Sequence, residues 1–362
     1  MTGESMNIAS RVREGNSLFG IQGAGATAAA GAVSVMVVRE NSTSSVAVEN
    51  STLTTTNGDL ALSSDLSSFS AILGVSGAGA QGFGAAGDVY WVRGRNVSNL
   101  AISKGSALNA AKNLGIKALA EGKVNSINAD AAGAEFVALA AGVTGTDLKT
   151  DASVSVENSK ASSSEDVSIT AENSNTTNLT RADAGGALAA IGAAVVVENL
   201  NGNARVLINN SQIEAAKNLT IKALDDRSTN IGLGSGSGGL GVGTAAVFVS
   251  THGSQTPDFL TDESARKRYE EAKSKYIDDA SSNGTLDFIQ KAFNASNLGS
   301  AHISDTESDT IKKSLTSDNK NIGAQSGASI SVTSSNLSGQ NIDLSALQDS
   351  KEKSGTQGMV GG

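Results

Sequence analysis

Apolar and polar positions alternate with a period of two along most of this chain. Val154/Val156, Val167/Ile169, Val206/Ile208 and Leu219/Ile221 each set two aliphatics on one face, and in all but the Val206/Ile208 pair, which flanks Leu207, the residue between is a serine or threonine. That is the pattern of a strand with one buried face. Asn-Ser and Asn-Gly pairs close these strands; asparagine tolerates a left-handed backbone and can bond its own turn. Pro257 is the single proline, as suits a chain whose backbone N–H groups are nearly all committed to ladders.

The strands recur at long range. A short motif, Asn or Asp followed by an aliphatic, returns as NIAS, DLALSS, NLGIKA, DVSITA, NLTIKA and NIDLSA. Its aliphatic anchors are Ile8, Leu60, Leu114, Val167, Leu219 and Ile342, spaced by 52, 54, 53, 52 and 123 residues. After each anchor comes a polar stretch, then a Gly/Ala-rich arm grading into valines, such as GAGATAAAGAVSVMVV from Gly23 or GGALAAIGAAVVV from Gly185. An alternating strand with a polar tail follows, as in ASVSVENSKASSSE at Ala152. Alanine favours helix, but glycines at every second to fourth position and β-branched runs make the arms strands.

A strand-only repeat of about 53 residues with no βα alternation predicts an all-β fold, a parallel β-helix or β-solenoid. Three segments of roughly 17–18 residues per unit predict three coils per repeat; two longer coils are the alternative. At about 4.8 Å per coil, some fifteen coils would make a rod of roughly 70 Å. The expected organisation is repeats over 1–256, a helical and polar insertion over 257–321, a last repeat over 322–350 and a flexible tail over 351–362.

The insertion breaks the period. Ala265, Tyr269, Ala272, Tyr276 and Ala280 form one helical stripe, with Asp262 as N-cap and Glu263 in the first turn. Asn283-Gly284 ends that helix, and Thr285 caps a second one carrying Phe288, Ala292 and Phe293. Five of the 12 aromatics fall here. Tyr269, Tyr276, Phe288 and Phe293 are therefore either a candidate binding surface or rings that pack the helices onto the solenoid.

Composition narrows the chemistry. The chain is 39% hydrophobic with 41 Gly and no Cys, so it has little bulky filler and no thiolate site or disulfide. Its net charge of −9 argues against general nucleic-acid binding. His252 and His302 are the only histidines, too few for a multi-His metal site, and each reads as a surface residue. GxGxxG occurs at Gly77–Gly82 and Gly234–Gly239. A dinucleotide fingerprint needs a following helix, and strands follow here. GSGSGGLGVG lacks the aspartates of a calcium-binding repeat. No cofactor or metal is called for.

The acidic pairs Asp225-Asp226, Glu270-Glu271 and Asp278-Asp279 raise polysaccharide cleavage, by a lyase or glycosidase, as an alternative function. Strand neighbours point to opposite faces, so adjacency does not make a working pair. Asn-x-Ser/Thr triplets at Asn41, Asn50, Asn175, Asn218, Asn294 and Asn336 read as turns. Tyr90-Trp91, the one adjacent aromatic pair, places one ring inward and one outward.

The NLxIKA and DVSITA anchors, VSVENS strands and AGAxxAxGAxVxV arms resemble the passenger of filamentous haemagglutinin-type exoproteins secreted by the two-partner route, above all the leukotoxin-like filamentous adhesins. The resemblance covers about 1–256 and 322–350. It implies a secreted or cell-surface right-handed β-helix without catalytic residues, in a cell-adhesion and virulence role. Implied partners are a host-cell or bacterial surface protein or glycan and an outer-membrane secretion partner. A segment of a secreted leukotoxin is a further alternative that rests on the family name alone. The start, MTGESMNIASRVREGNS, lacks a charged-then-apolar layout, so the chain is expected to be a piece of a longer protein. Its open coil edges then invite self-association.

Overall fold

The computed structural model describes residues 1–239, 241–252 and 327–361. Every regular element among them is a strand. After β1 (Thr2–Gly3), the first coil runs through β2 (Met6–Ala26), β3 (Ala29–Glu49) and β4 (Thr52–Thr55). The same order of two long strands and one short strand returns three times. It gives β5 (Leu60–Ala80), β6 (Phe83–Ser103) and β7 (Ala107–Ala110); then β8 (Leu114–Ala134), β9 (Val137–Glu157) and β10 (Lys160–Ser163). The fourth set is β11 (Val167–Gly186), β12 (Ala189–Asn209) and β13 (Gln212–Ala215). The fifth coil holds β14 (Asn218–Gly238), β15 (Gly241–His252), β16 (Gly327–Thr333) and β17 (Asn336–Ser338), and β18 (Asn341–Gly361) opens a sixth.

Three parallel sheets result: a first long sheet in the order β18-β14-β11-β8-β5-β2, a second in the order β15-β12-β9-β6-β3, and a short one in the order β1-β4-β7-β10-β13-β17. The fold is a β-solenoid, as the repeat requires. Its coil is larger than expected. Leu60 pairs with Leu114, Leu114 with Val167 and Val167 with Leu219, so one repeat is one coil, neither three nor two. The reason is that 21-residue strands run without a break through both the polar stretch and the Gly/Ala arm; changes of composition do not mark strand ends here. A length of about 70 Å lies along the strands, at about 3.3 Å per residue, and the stack of coils rises only about 24 Å. The first anchor also moves: Met6, not Ile8, pairs with Leu60. A slip of two residues keeps the face and changes only the register.

Two corners close each coil around the short sheet. At one, Asn50, Lys104, Asn158, Asn210 and Ser334 have φ of 45°, 58°, 48°, 46° and 51°, the left-handed region that asparagine tolerates. The serine after Asn158 and Asn210 turns back to the preceding strand, with Ser159 Oγ donating to the Glu157 carbonyl at 2.8 Å and Ser211 Oγ to that of Asn209 at 2.8 Å. At the other corner the Asn/Asp of the repeated motif forms a ladder. Asn113 donates its backbone N–H and its amide to Asp59 Oδ1, both at 3.0 Å, and Asn218 does the same to Asp166 at 3.0 and 2.8 Å.

The far end of each coil is a tight bend where the two long sheets converge. Ala30, Ala32, Ala78, Ala86, Ala132, Ala138 and Ala140 pack there, which explains the small-residue arms: larger side chains would hold the sheets apart. At the opposite end, against the short sheet, columns of Leu, Ile and Val form the main core, Leu60, Leu100, Ile116 and Val154 among them. A second aliphatic cluster around Ile72, Val92, Leu148, Leu179 and Val196 lies farther along the lumen. Between the two runs a polar belt, including a zigzag of serine hydroxyls from Ser44 to Ser10 (2.9 Å), Ser64 to Ser44 (3.0 Å) and Ser98 to Ser64 (3.0 Å).

Residues 351–361, expected as a flexible tail, continue β18 in register with Ser228–Gly238. The expected helices over 257–321 lie outside the described residues.

Candidate functional site

β15 and β16 are two halves of one rung. β15 pairs with β12 from Ala189 to Leu200, and β16 resumes on the same strand at Asn203. Seventy-four residues, 253–326, thus enter and leave the second long sheet within a gap of two register positions, opposite Asn201 and Gly202.

Below that gap the lumen is charged. Arg227 on β14, fully buried, donates from Nη2 to the Gly202 carbonyl at 3.0 Å and to Asp225 Oδ2 at 2.6 Å; its Nη1 lies 3.5 Å from the Leu200 carbonyl. Asn173 completes the arrangement with a 2.6 Å bond to Asp225 Oδ1. Burial raises the Asp225 carboxyl above its ordinary range, against the pull of Arg227. On the outer face asparagines form a polar row beside the gap: Asn199 donates to Asp147 at 3.1 Å, Asn201 to Asn199 at 2.8 Å and Asn203 to Asp151 at 2.6 Å. The break in the sheet is held from both sides by amides and a guanidinium.

A second buried charge cluster sits nearer the bend. Arg181 on β11 makes ion pairs with Asp88, Asp130 and Asp183, the last at 2.9 Å, and all four side chains are fully buried. Burial is the largest influence on each carboxyl. It raises Asp88, takes Asp130 to about 9 and takes Asp183 to about 6, while Arg181 opposes it. Next to Asp88, burial pushes the Tyr90 phenol up to about 12. Two glycines make the room: a Cβ at Gly142 would strike the Arg181 guanidinium, and one at Gly74 the Tyr90 ring. The cluster is closed off from solvent, so its carboxylates meet no external substrate as the chain stands folded.

Tyr90 is in the lumen, and Trp91 lies half-buried on the outer face, over Gly145 of the next coil, where a Cβ would meet its ring. Asp225 faces the lumen and Asp226 the outside, so that adjacent pair does not converge. Both GxGxxG segments run in strands into the bend, with no helix following. Asn50 occupies a left-handed corner as read, whereas Asn175 is buried in the lumen and donates to the Asn201 carbonyl at 3.1 Å. His252 ends β15. Tyr269, Tyr276, Phe288, Phe293, His302, Asn294 and the Glu270-Glu271 and Asp278-Asp279 pairs lie outside the described residues. Among the described residues, no three His, Cys, Asp or Glu are arranged to hold a metal.

Sequence reasoning missed the Arg181 cluster, although a signal existed. Arg181 and Asp183 share the inward phase of Leu179, as Asp88 shares that of Tyr90. Charges on the apolar phase of a strand mark a buried ionic group. No protein-family model, curated protein or solved structure matches this chain.

Proposed function

We propose that this chain is a non-catalytic structural segment of a surface-exposed or secreted adhesin, a solenoid that presents residues 253–326 to a binding partner. One observation supports the reading most. The segment is grafted into a single rung, and pairing continues undisturbed on both sides of the two-position gap. The pairing of the described rung with β12 is complete on either side of that gap, so the ladder there does not depend on which sequence fills it. The partner is a protein or glycan of a host or bacterial surface, and Tyr269, Tyr276, Phe288 and Phe293 are the first residues to vary.

The test replaces 253–326 by a two-residue Asn-Gly link, matching Asn201-Gly202 of the coil before. The trimmed chain is expected to keep its strand-type circular dichroism and to lose binding to cells and matrix. Equal binding by both chains would transfer adhesion to the solenoid faces. Absence of binding by the intact chain would overturn the reading.

A further inference from the structure

The outer face of the second long sheet changes character halfway along its strands. Toward the bend, the outward positions are the alternate residues of 29–37, 83–91, 137–145 and 189–197. All twenty are Ala, Gly, Val, Leu, Ile, Phe or Trp. At the next outward position the chain places Arg39, Arg93, Asp147 and Asn199. Val37 is 46% exposed, Val137 41% and Ile191 52%. Among the described residues, nothing covers this apolar field and its sharp polar rim.

We propose that this field is the interface of a homodimer, formed by face-to-face packing of the second long sheets of two copies. The dimension fits. Four strands about 4.8 Å apart and nine residues along each strand give a flat patch of about 19 by 30 Å, or roughly 570 Å² per copy, which clears the roughly 1,000 Å² in total that a specific interface needs. The symmetry fits as well. A two-fold axis parallel to the strands and midway between β6 and β9, the middle strands of the field, keeps bend against bend, so the two apolar fields coincide and the two rims stay in water. It sets Val143 against Val89 of the other copy, its register partner within one chain, with columns of equal spacing facing each other as in a β-sandwich.

Lipid is the competing occupant, and backbone energetics decide against it. Among the described residues, β2 and β3 pair on one side only. In hydrocarbon each unpaired N–H or C=O of such an edge costs several kcal/mol, whereas a dimer in water leaves the edges solvated.

Trp91, the only tryptophan, lies at the edge of the field and reports on it. Sedimentation velocity of the intact chain should show a mass that doubles with concentration, with Trp91 becoming protected from iodide on association. Val143→Lys should abolish both changes and leave the circular dichroism intact. Val143→Thr, which keeps the side-chain shape, should weaken association at least tenfold if the lysine variant does not fold. Ile127→Lys, on the outer face of the other long sheet, should leave dimerisation unchanged. The proposal is overturned by a monomer at all concentrations, by association that survives both substitutions at Val143, or by a monomer whose Trp91 becomes protected only on phosphatidylcholine/phosphatidylglycerol vesicles.

Discussion

Asp130 and Asp183 are register partners on neighbouring coils, and both close on the guanidinium of Arg181. Asp88 joins them from the facing sheet, so three carboxyls share one buried cation. If all three were ionised the site would carry excess negative charge in a dry lumen, and burial therefore raises their affinity for protons.

This makes stability depend on pH in the direction opposite to the usual carboxylate. The folded pKa of Asp130 is about 9 and that of Asp183 about 6, both above the unfolded 3.8. The native state thus binds more protons than the unfolded one. Their contribution is complete below pH 4 and is lost as pH rises, through about 6 for Asp183 and about 9 for Asp130. The slope is at most about 1.4 kcal/mol per pH unit for each carboxyl. Urea unfolding should show a chain more stable at pH 5 than at pH 8, and Asp130→Asn should flatten the difference. An unchanged slope in that variant would place the effect elsewhere.

Removing the cation is worse than removing an anion. Arg181→Met leaves three buried carboxyls with no counter-charge, a change that costs about 3–5 kcal/mol where a buried pair is broken. The loss should be smaller at pH 5, where the carboxyls hold their protons, and it should shrink when Asp88, Asp130 and Asp183 are changed to Asn in the same chain. Equal losses at both pH values would show that the arginine acts by packing alone.

The repeat length and the strand class were legible because they rest on phase. Leu114, Val167 and Leu219 keep both their spacing and their side of the strand. The coil size was not legible, because period two looks the same in a strand of 4 residues and in one of 21, and the Asn-Ser and Asn-Gly pairs that read as strand ends also lie inside the long strands, as at Asn41-Ser42, Asn173-Ser174 and Asn201-Gly202; only the pairing partner reveals their length. The bend was hidden for a related reason. Gly/Ala arms mark where the sheets converge, and that is a property of the facing strand. For the candidate site, the excess residues between Leu219 and Ile342 were visible as an insertion. Its re-entry two register positions after its exit was not, since that requires the ladder of β12.

Tyr90 and Gly74 form a size-complementary pair across the lumen, since a Cβ at Gly74 would overlap the ring. Gly74→Ala alone should destabilise by about 1–3 kcal/mol through overpacking, and Tyr90→Ala by about 3–5 kcal/mol through the cavity it leaves. Combined, the two should cost clearly less than their sum, because the methyl then enters space the ring has vacated. Thermal unfolding of the four chains measures the coupling. Additive losses would mean that the lumen adjusts without contact between the two positions.

Asn158 separates two roles that the corner residue combines. Its φ of 48° is left-handed, and its Oδ1 accepts from Asn210 Nδ2 at 2.7 Å. Asn158→Gly keeps the backbone free to adopt that φ and deletes the amide, whereas Asn158→Ala deletes the amide and adds left-handed strain of about 1–2 kcal/mol. If the backbone conformation is what selects asparagine, the glycine variant should unfold close to the parent and the alanine variant well below it. If the exposed amide ladder is what selects it, the two variants should fall together. Denaturant midpoints of the three chains decide between them. The first outcome is expected, because Lys104 and Ser334 hold the same left-handed conformation in other coils without an asparagine amide.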